Sequence, residues 1–175
     1  MRWVLPFVLL TVAAGFAADP ATNTVAAAKN RTLAAPKFPD SFKDRFKNEG
    51  FLDTDFGRAR YEDMIAKRDD RTLTVRAFHV PAQVWKIKSP KRMLDDARNN
   101  MTMGGLLPLS EKDSDLDGFP RRSFLFLQTD KKTAEYMDYI LIEPVVYIFA
   151  YSGPKEGLEA KDIAGFFRSE ATTEK

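Results

Sequence analysis

Three aspartates alternate along one short segment and could bind a cation. Asp113, Asp115 and Asp117 precede Gly118, which is the order found in the first half of a calcium-binding loop, where carboxylate oxygens surround a hard ion. The second half departs from that pattern, because Phe124 occupies the position of the bidentate glutamate. We therefore expect no metal site here, and expect the aspartates to decorate a solvated strand end and turn. A calcium-dependent assembly module is the alternative.

Residues for nucleophilic catalysis are scarce. His79 is the single histidine and there is no cysteine, so a Ser–His–Asp triad or a multi-histidine zinc site would need His79. We expect a structural or surface role for it. Paired carboxylates could still serve as acid and base in a hydrolase of sugars or peptides, and the available ones are Asp53, Asp55, Glu62, Asp63, Glu135 and Asp138. Their spacing is that of ordinary surface charges. We therefore expect no catalytic residue and no cofactor, with the hydrolase as an alternative.

A tryptophan lies among lysines between a predicted strand and a predicted helix. The residues are Trp85, Lys86 and Lys88. An exposed tryptophan flanked by cations could anchor a protein or an anionic polymer. Alternatively, the indole covers the edge of the sheet while both lysines keep their ammonium groups in water. These three residues are the candidate binding residues of the chain.

Residues 1–17 predict a secretory signal peptide. Arg2 precedes an apolar stretch, and small residues follow, which is the order of export signals. Gly15 and Ala17 provide the small side chains that a signal peptidase requires, so we place the cut between Ala17 and Ala18. The alternative is an uncleaved anchor, for which the apolar run is a few residues short. The expected location is the periplasm or the medium, with only transient membrane contact.

Composition and patterning divide the remainder of the chain. Residues 18–36 predict a flexible tether, residues 37–170 one domain, and residues 171–175 a polar tail. Charges of both signs are interspersed and the formal net charge is +2, which argues against a nucleic-acid-binding protein. Because no disulfide can form, the core must come from apolar packing, and the 14 Phe, 5 Tyr and 2 Trp can supply it.

Hydrophobic periodicity predicts a sheet with helices. Strands are expected at 60–67 and 72–80 as a hairpin, and further strands at 106–115, 123–128, 134–143 and 145–152. Ser89 and Pro90 begin a helix that ends at Gly104, and a closing helix spans 158–169 with Ile163, Phe166 and Phe167 inward. Segment 37–57 fits either a short helix or an irregular first strand. The fold class is therefore α/β (α+β), with an antiparallel sheet of about six strands flanked by helices.

Four stretches carry a family pattern in a constant order: SPKRMLDDAR at 89–98, LDGFPRR at 116–122, VYIFAYSGPK at 146–155 and DIAGFFRS at 162–169. They resemble the helix, the Gly-x-Pro-Gly-Arg-Glu turn, the penultimate strand and the closing helix of bacterial exported relatives of PsbP, the extrinsic protein of the oxygen-evolving photosystem. The resemblance implies an α-β-α sandwich, a fold shared with the Ran-binding nuclear import factor. It also implies an exported, non-enzymatic role, which we expect to be the binding of an unidentified protein or envelope component. Arg121 and Ser123 replace a Gly and the Glu of that turn, so any function of the Glu is missing here.

Overall fold

The computed structural model describes residues 31–33, 37–54, 57–103, 107–128, 132–168 and 171–173. The predicted signal peptide, with its cleavage position at Ala17 and Ala18, lies outside these residues. The strands are β1 (Arg31–Leu33), β2 (Asp44–Thr54), β3 (Gly57–Arg68), β4 (Arg71–His79), β5 (Ser110–Leu116), β6 (Phe119–Leu127), β7 (Thr133–Ile142), β8 (Val145–Pro154) and β9 (Ala171–Thr173). The helices are α1 (Ala82–Ile87), α2 (Pro90–Met103) and α3 (Lys161–Phe166), with a 3₁₀ turn at Lys155–Glu159.

One antiparallel sheet organises the described residues. Its seven strands follow the order β2-β3-β4-β8-β7-β6-β5, and β1 pairs separately with β9. Neighbouring strands run antiparallel throughout. The predicted fold class is confirmed, and the sheet has one strand more than expected because the undecided segment contributes β2.

The two faces of the sheet are covered by different helices. Side chains alternate between faces along a strand, so on β7 Tyr139 and Leu141 pack with α1 and α2 whereas Ile140 and Ile142 pack with α3. We call these the α1–α2 face and the α3 face. Burial on both faces explains why the last four residues of this strand, YILI at 139–142, are all apolar or aromatic.

The local signals for the hairpin and the main helix are confirmed. Strands β3 and β4 pair from Arg60 with His79 to Arg68 with Arg71. Helix α2 begins at Pro90, where the Ser89 hydroxyl accepts a hydrogen bond from the Arg92 backbone N–H at 3.3 Å. Such a cap satisfies one of the unpaired amides of a first helical turn.

Several boundaries differ from the expectation. Strand β5 begins at Ser110 rather than 106, and the predicted helix 158–169 is divided between the 3₁₀ turn and α3. Helix α1 was not predicted, since it has only six residues and no side-chain cap. Two strands form within the predicted tether and the predicted tail, because residues 31–33 pair with residues 171–173. No local sequence pattern predicts this contact between distant segments. None of the helices within the described ranges is long and apolar enough to cross a membrane.

Candidate functional site

The three aspartates of the calcium-like segment lie at the edge of the sheet and the following turn. Asp113 faces Arg122 across the β5–β6 pair, and its carboxylate accepts two hydrogen bonds from that guanidinium, one of them 3.0 Å long. These bonds lower the pKa of Asp113. The Asp115 carboxylate accepts the Gly118 N–H at 2.6 Å, while Asp117 and Gly118 adopt positive φ angles of 52° and 88°. The carboxylates of Asp113 and Asp115 therefore bind groups of the chain itself.

No group of three or more potential ligands, among the residues that the structure describes, could hold a metal ion. The expectation of no metal site at Asp113, Asp115 and Asp117 stays a prediction, with the calcium-dependent module as its alternative. In the structure, Asp113 contacts Arg122 across the β5–β6 strand pair, and Asp115 contacts the turn that connects these two strands.

Arg122 is the centre of an ion-pair network on the α1–α2 face. Only 4% of its side chain is exposed, and it contacts Asp95 at 2.7 Å and Glu111 at 3.2 Å in addition to Asp113. Hydrogen bonds to Asp113 and Asp95 raise the pKa of Arg122 although burial opposes this. Arg98 on α2 extends the network to Glu111 at 2.7 Å. The network joins α2 to β5 and β6 and explains why a charged residue lies under the helix.

The predicted binding residues occupy α1 and its end. Trp85 is half-buried against the core of the α1–α2 face, and its indole N–H has no hydrogen-bond partner among the described residues. Lys86 is exposed, as is Ile87 at 59%. Lys88 differs from the expectation of a lysine in water, because it is buried and ion-paired with Asp96 of α2. The accessible part of the predicted group is therefore Lys86, with Ile87 beside it.

His79 lies at the end of β4 on the α3 face and is 43% exposed. Its Nε2 atom is 3.7 Å from the Glu62 carboxylate. A half-exposed imidazole with a single exposed acid beside it has no oriented nucleophile of the kind that triad chemistry requires.

The two neighbouring carboxylate pairs that the structure describes do not converge, and Asp55 lies outside the described residues. Glu62 and Asp63 are successive residues of β3, so their side chains lie on opposite faces of the sheet. Glu135 and Asp138 are likewise divided between the faces of β7. Asp63 is fully engaged, because Arg76 donates to both of its oxygens at 2.6 and 2.7 Å. Burial disfavours the Arg76 charge, but the bonds to Asp63 raise the pKa of Arg76 overall.

Sequence reasoning missed a polar cluster on the α3 face. Asp138 is 1% exposed and ion-paired with Arg121, and its Oδ1 atom has no hydrogen-bond partner within the described ranges. The Tyr136 hydroxyl is near Ser123 and Asp138. The pKa of Tyr136 is raised, and burial is the largest cause of the increase. Phe167 packs edge-on against the Tyr136 ring at 4.8 Å. The available signal was Asp138, the single charged residue of the stretch YMDYILI at 136–142.

The outer edge of β2 presents exposed aromatic and charged side chains. Strand β2 pairs with β3 along its full length, and its other edge has no strand partner in the described part of the chain. Phe46 is 53% exposed on the α1–α2 face and Phe51 is 55% exposed on the α3 face. Lys67 lies 5.7 Å from the Phe46 ring and Arg58 lies 4.3 Å from the Phe51 ring. Exposed aromatics on both faces of an edge strand are a surface suited to contacts with another chain.

Comparison with solved structures finds two distant likenesses. Cyanobacterial PsbP (CyanoP) from Synechocystis sp. PCC 6803 is 9% identical with a TM-score of 0.45, over 72% of this chain and 88% of that one. A protein of unknown function from Pseudomonas aeruginosa is 14% identical with a TM-score of 0.38, over 74% and 86% of the two chains. No family model and no curated protein matches this chain. Both TM-scores are below 0.5, and membership of a bacterial exported PsbP-like family stays a prediction.

Proposed function

We propose that this chain is an exported, non-enzymatic domain that binds a protein or another component of the cell envelope. The export part rests on the sequence of residues 1–17, with their single positive charge, apolar stretch and small residues. The non-enzymatic part rests on the state of the buried charges, and the binding part on the surface of α1.

The single observation that carries the proposal is that the buried charged residues of the described chain are all engaged in ion pairs. They are Asp63, Lys88, Arg122 and Asp138, and each contacts an oppositely charged side chain. Catalytic acids and bases are typically held with perturbed pKa values in an open cleft. Here the buried charges instead join strands and helices to one another, which is a structural use.

The surface of α1 provides the contact that we propose for the partner. Lys86 and Ile87 project from a short helix whose Trp85 ring is fixed against the core. The Lys86 cation beside the exposed Ile87 side chain is complementary to a partner surface with acidic residues around an apolar centre. Packing of the Trp85 ring against the core holds these two residues in a fixed position.

Export and binding are tested together in a bacterial host. The full chain is expressed, cells are fractionated, and the N-terminus of the recovered protein is determined by mass spectrometry, with Ala18 expected as the first residue. The protein is then used to capture envelope components. The same component should be retained by wild type and by Lys112→Glu, a charge change at an exposed β5 position, and lost with Lys86→Glu combined with Ile87→Ser.

Two outcomes would contradict the proposal. One is recovery of the unprocessed chain in the cytoplasm. The other is turnover of a glycoside or peptide substrate by purified protein that disappears in Asp63→Asn or Asp138→Asn, because those buried acids would then have a chemical role beyond their ion pairs.

A further inference from the structure

We propose that β2 pairs with β2 of a second copy across a two-fold axis perpendicular to the sheet, joining two sheets into one. This inference does not depend on the envelope partner proposed above. Strand β2 lies at the edge of the sheet, and the outward N–H and C=O groups of an edge strand can pair with another strand. Residues 43–49 are exposed without interruption, and the two aromatic rings described above add apolar area on each side.

The charge order along β2 is what selects a second copy as the partner. The residues on its α3 face are basic at the beginning (Lys43, Arg45 and Lys47, the first of which precedes the strand) and acidic or aromatic at the end (Glu49, Phe51 and Asp53). Antiparallel pairing of this strand with itself places the basic half of one copy against the acidic half of the other. Opposite charges directly across a strand pair are stabilising.

Pairing centred on Asn48 satisfies both faces of the sheet. It places Lys47 opposite Glu49 of the other copy and Arg45 opposite Phe51, each twice because of the symmetry. On the α1–α2 face it places Phe46 opposite Gly50. The Tyr61 ring of β3 already lies against Gly50, since a Cβ atom there would be 2.7 Å from the tyrosine hydroxyl. The incoming Phe46 ring would therefore meet an aromatic side chain rather than bare backbone.

The opposite edge of the sheet lacks this self-complementarity. Strand β5 carries Glu111, Asp113 and Asp115 on one face. Antiparallel pairing of β5 with itself would place carboxylates opposite carboxylates, which is destabilising. A pair of identical edges is thus favoured at β2 alone, and it forms a closed dimer rather than a filament.

Sedimentation of the chain, purified as the host processes it, tests the proposal from low micromolar to submillimolar concentration. Wild type is expected to pass from monomer to dimer. Lys47→Glu and Glu49→Lys should each weaken the dimer about tenfold, since two attractive surface pairs become repulsive. An equimolar mixture of the two variants should regain wild-type affinity, because each supplies the charge that the other needs.

A cysteine cross-link provides a second measurement that does not depend on charge. The natural chain has no cysteine, and residues directly opposite in an antiparallel pair have Cα atoms about 4.5–5.5 Å apart, within reach of a disulfide. Asn48→Cys should therefore form a covalent dimer under mild oxidation, whereas Ser114→Cys on β5 should not.

Three results would overturn the proposal. The first is a monomer at every concentration without cross-linking at Asn48→Cys. The second is a dimer whose affinity in both charge variants equals that of the wild type. The third is growth beyond a dimer, which would indicate pairing of β2 with β5.

Discussion

Replacing Arg122 with methionine is the most informative single change to the buried ion pairs. Methionine fills much of the same space but leaves Asp95, Glu111 and Asp113 without the cation between them. The arginine side chain is 4% exposed, so its charge is removed from the interior and not from the surface. Asp95 of α2 then loses its partner on β6, whereas the exposed Arg98–Glu111 pair still joins α2 to β5.

The expected cost follows from the exposure of the partners. Removing one member of a buried ion pair typically costs about 3–5 kcal/mol. The three acids here are 46%, 28% and 62% exposed and can regain water, so we expect the free energy of unfolding to fall by about 2–3 kcal/mol. The control is Arg98→Met, whose arginine is 51% exposed. It should cost less than about 1 kcal/mol, as exposed bridges do.

The pH dependence of the stability difference distinguishes loss of the ion pairs from mere loss of packing. The Arg122 guanidinium holds the pKa of Asp113 below its unfolded value, so this pair stabilises the fold above the unfolded pKa of about 4 and the effect is lost as pH falls through the folded pKa. Urea denaturation followed from neutral pH to about pH 3 should show the wild type and Arg122→Met converging. A gap that stays constant or widens in acid, or an equal loss in Arg98→Met, would refute this reasoning.

Three further changes probe packing, ionisation and capping. Phe124 is fully buried, so Phe124→Ala should cost about 3–5 kcal/mol in urea denaturation, whereas Phe46→Ala, at a half-exposed ring, should cost less than about 1 kcal/mol; equal costs would contradict the burial assigned here. Burial raises the pKa of Tyr139 to about 12, so stability should fall as pH rises past the unfolded value of about 10, and Tyr139→Phe should reduce that fall in an alkaline series. Ser89→Ala should cost about 0.5–1 kcal/mol and Ser89→Asp should retain the cap; a neutral alanine would show that the 3.3 Å contact is unimportant.

Local patterns were sufficient wherever one element carried its own signal. The sequence of β4 alternates between apolar and polar residues, and α2 begins with a serine cap followed by proline. Segment 37–57 was ambiguous because the phenylalanine spacing fits a helix as well as a strand. In the structure these phenylalanines differ widely in exposure, because Phe42 is fully buried whereas Phe46 is half-exposed on an edge strand.

The features that were missed depend on contacts between distant residues. Burial of Lys88 requires Asp96 from the next helix, and the Arg122 network requires acids from both α2 and β5. Nothing in the local sequence of a lysine distinguishes one that will meet such a partner from one that remains in water. By contrast, alternation within the predicted strands 60–67 and 134–143 is sufficient to place Glu62 and Asp63, and likewise Glu135 and Asp138, on opposite faces.

The short ribbon of β1 and β9 joins the first and last residues that the structure describes. Arg31 pairs with Thr173 and Leu33 with Ala171, and Leu33 also packs into the core of the α3 face. The backbone therefore enters and leaves the domain side by side. Any groups attached to the two ends would be held close together, and a force pulling those ends apart would open the ribbon one hydrogen bond after another before it reached the seven-stranded sheet.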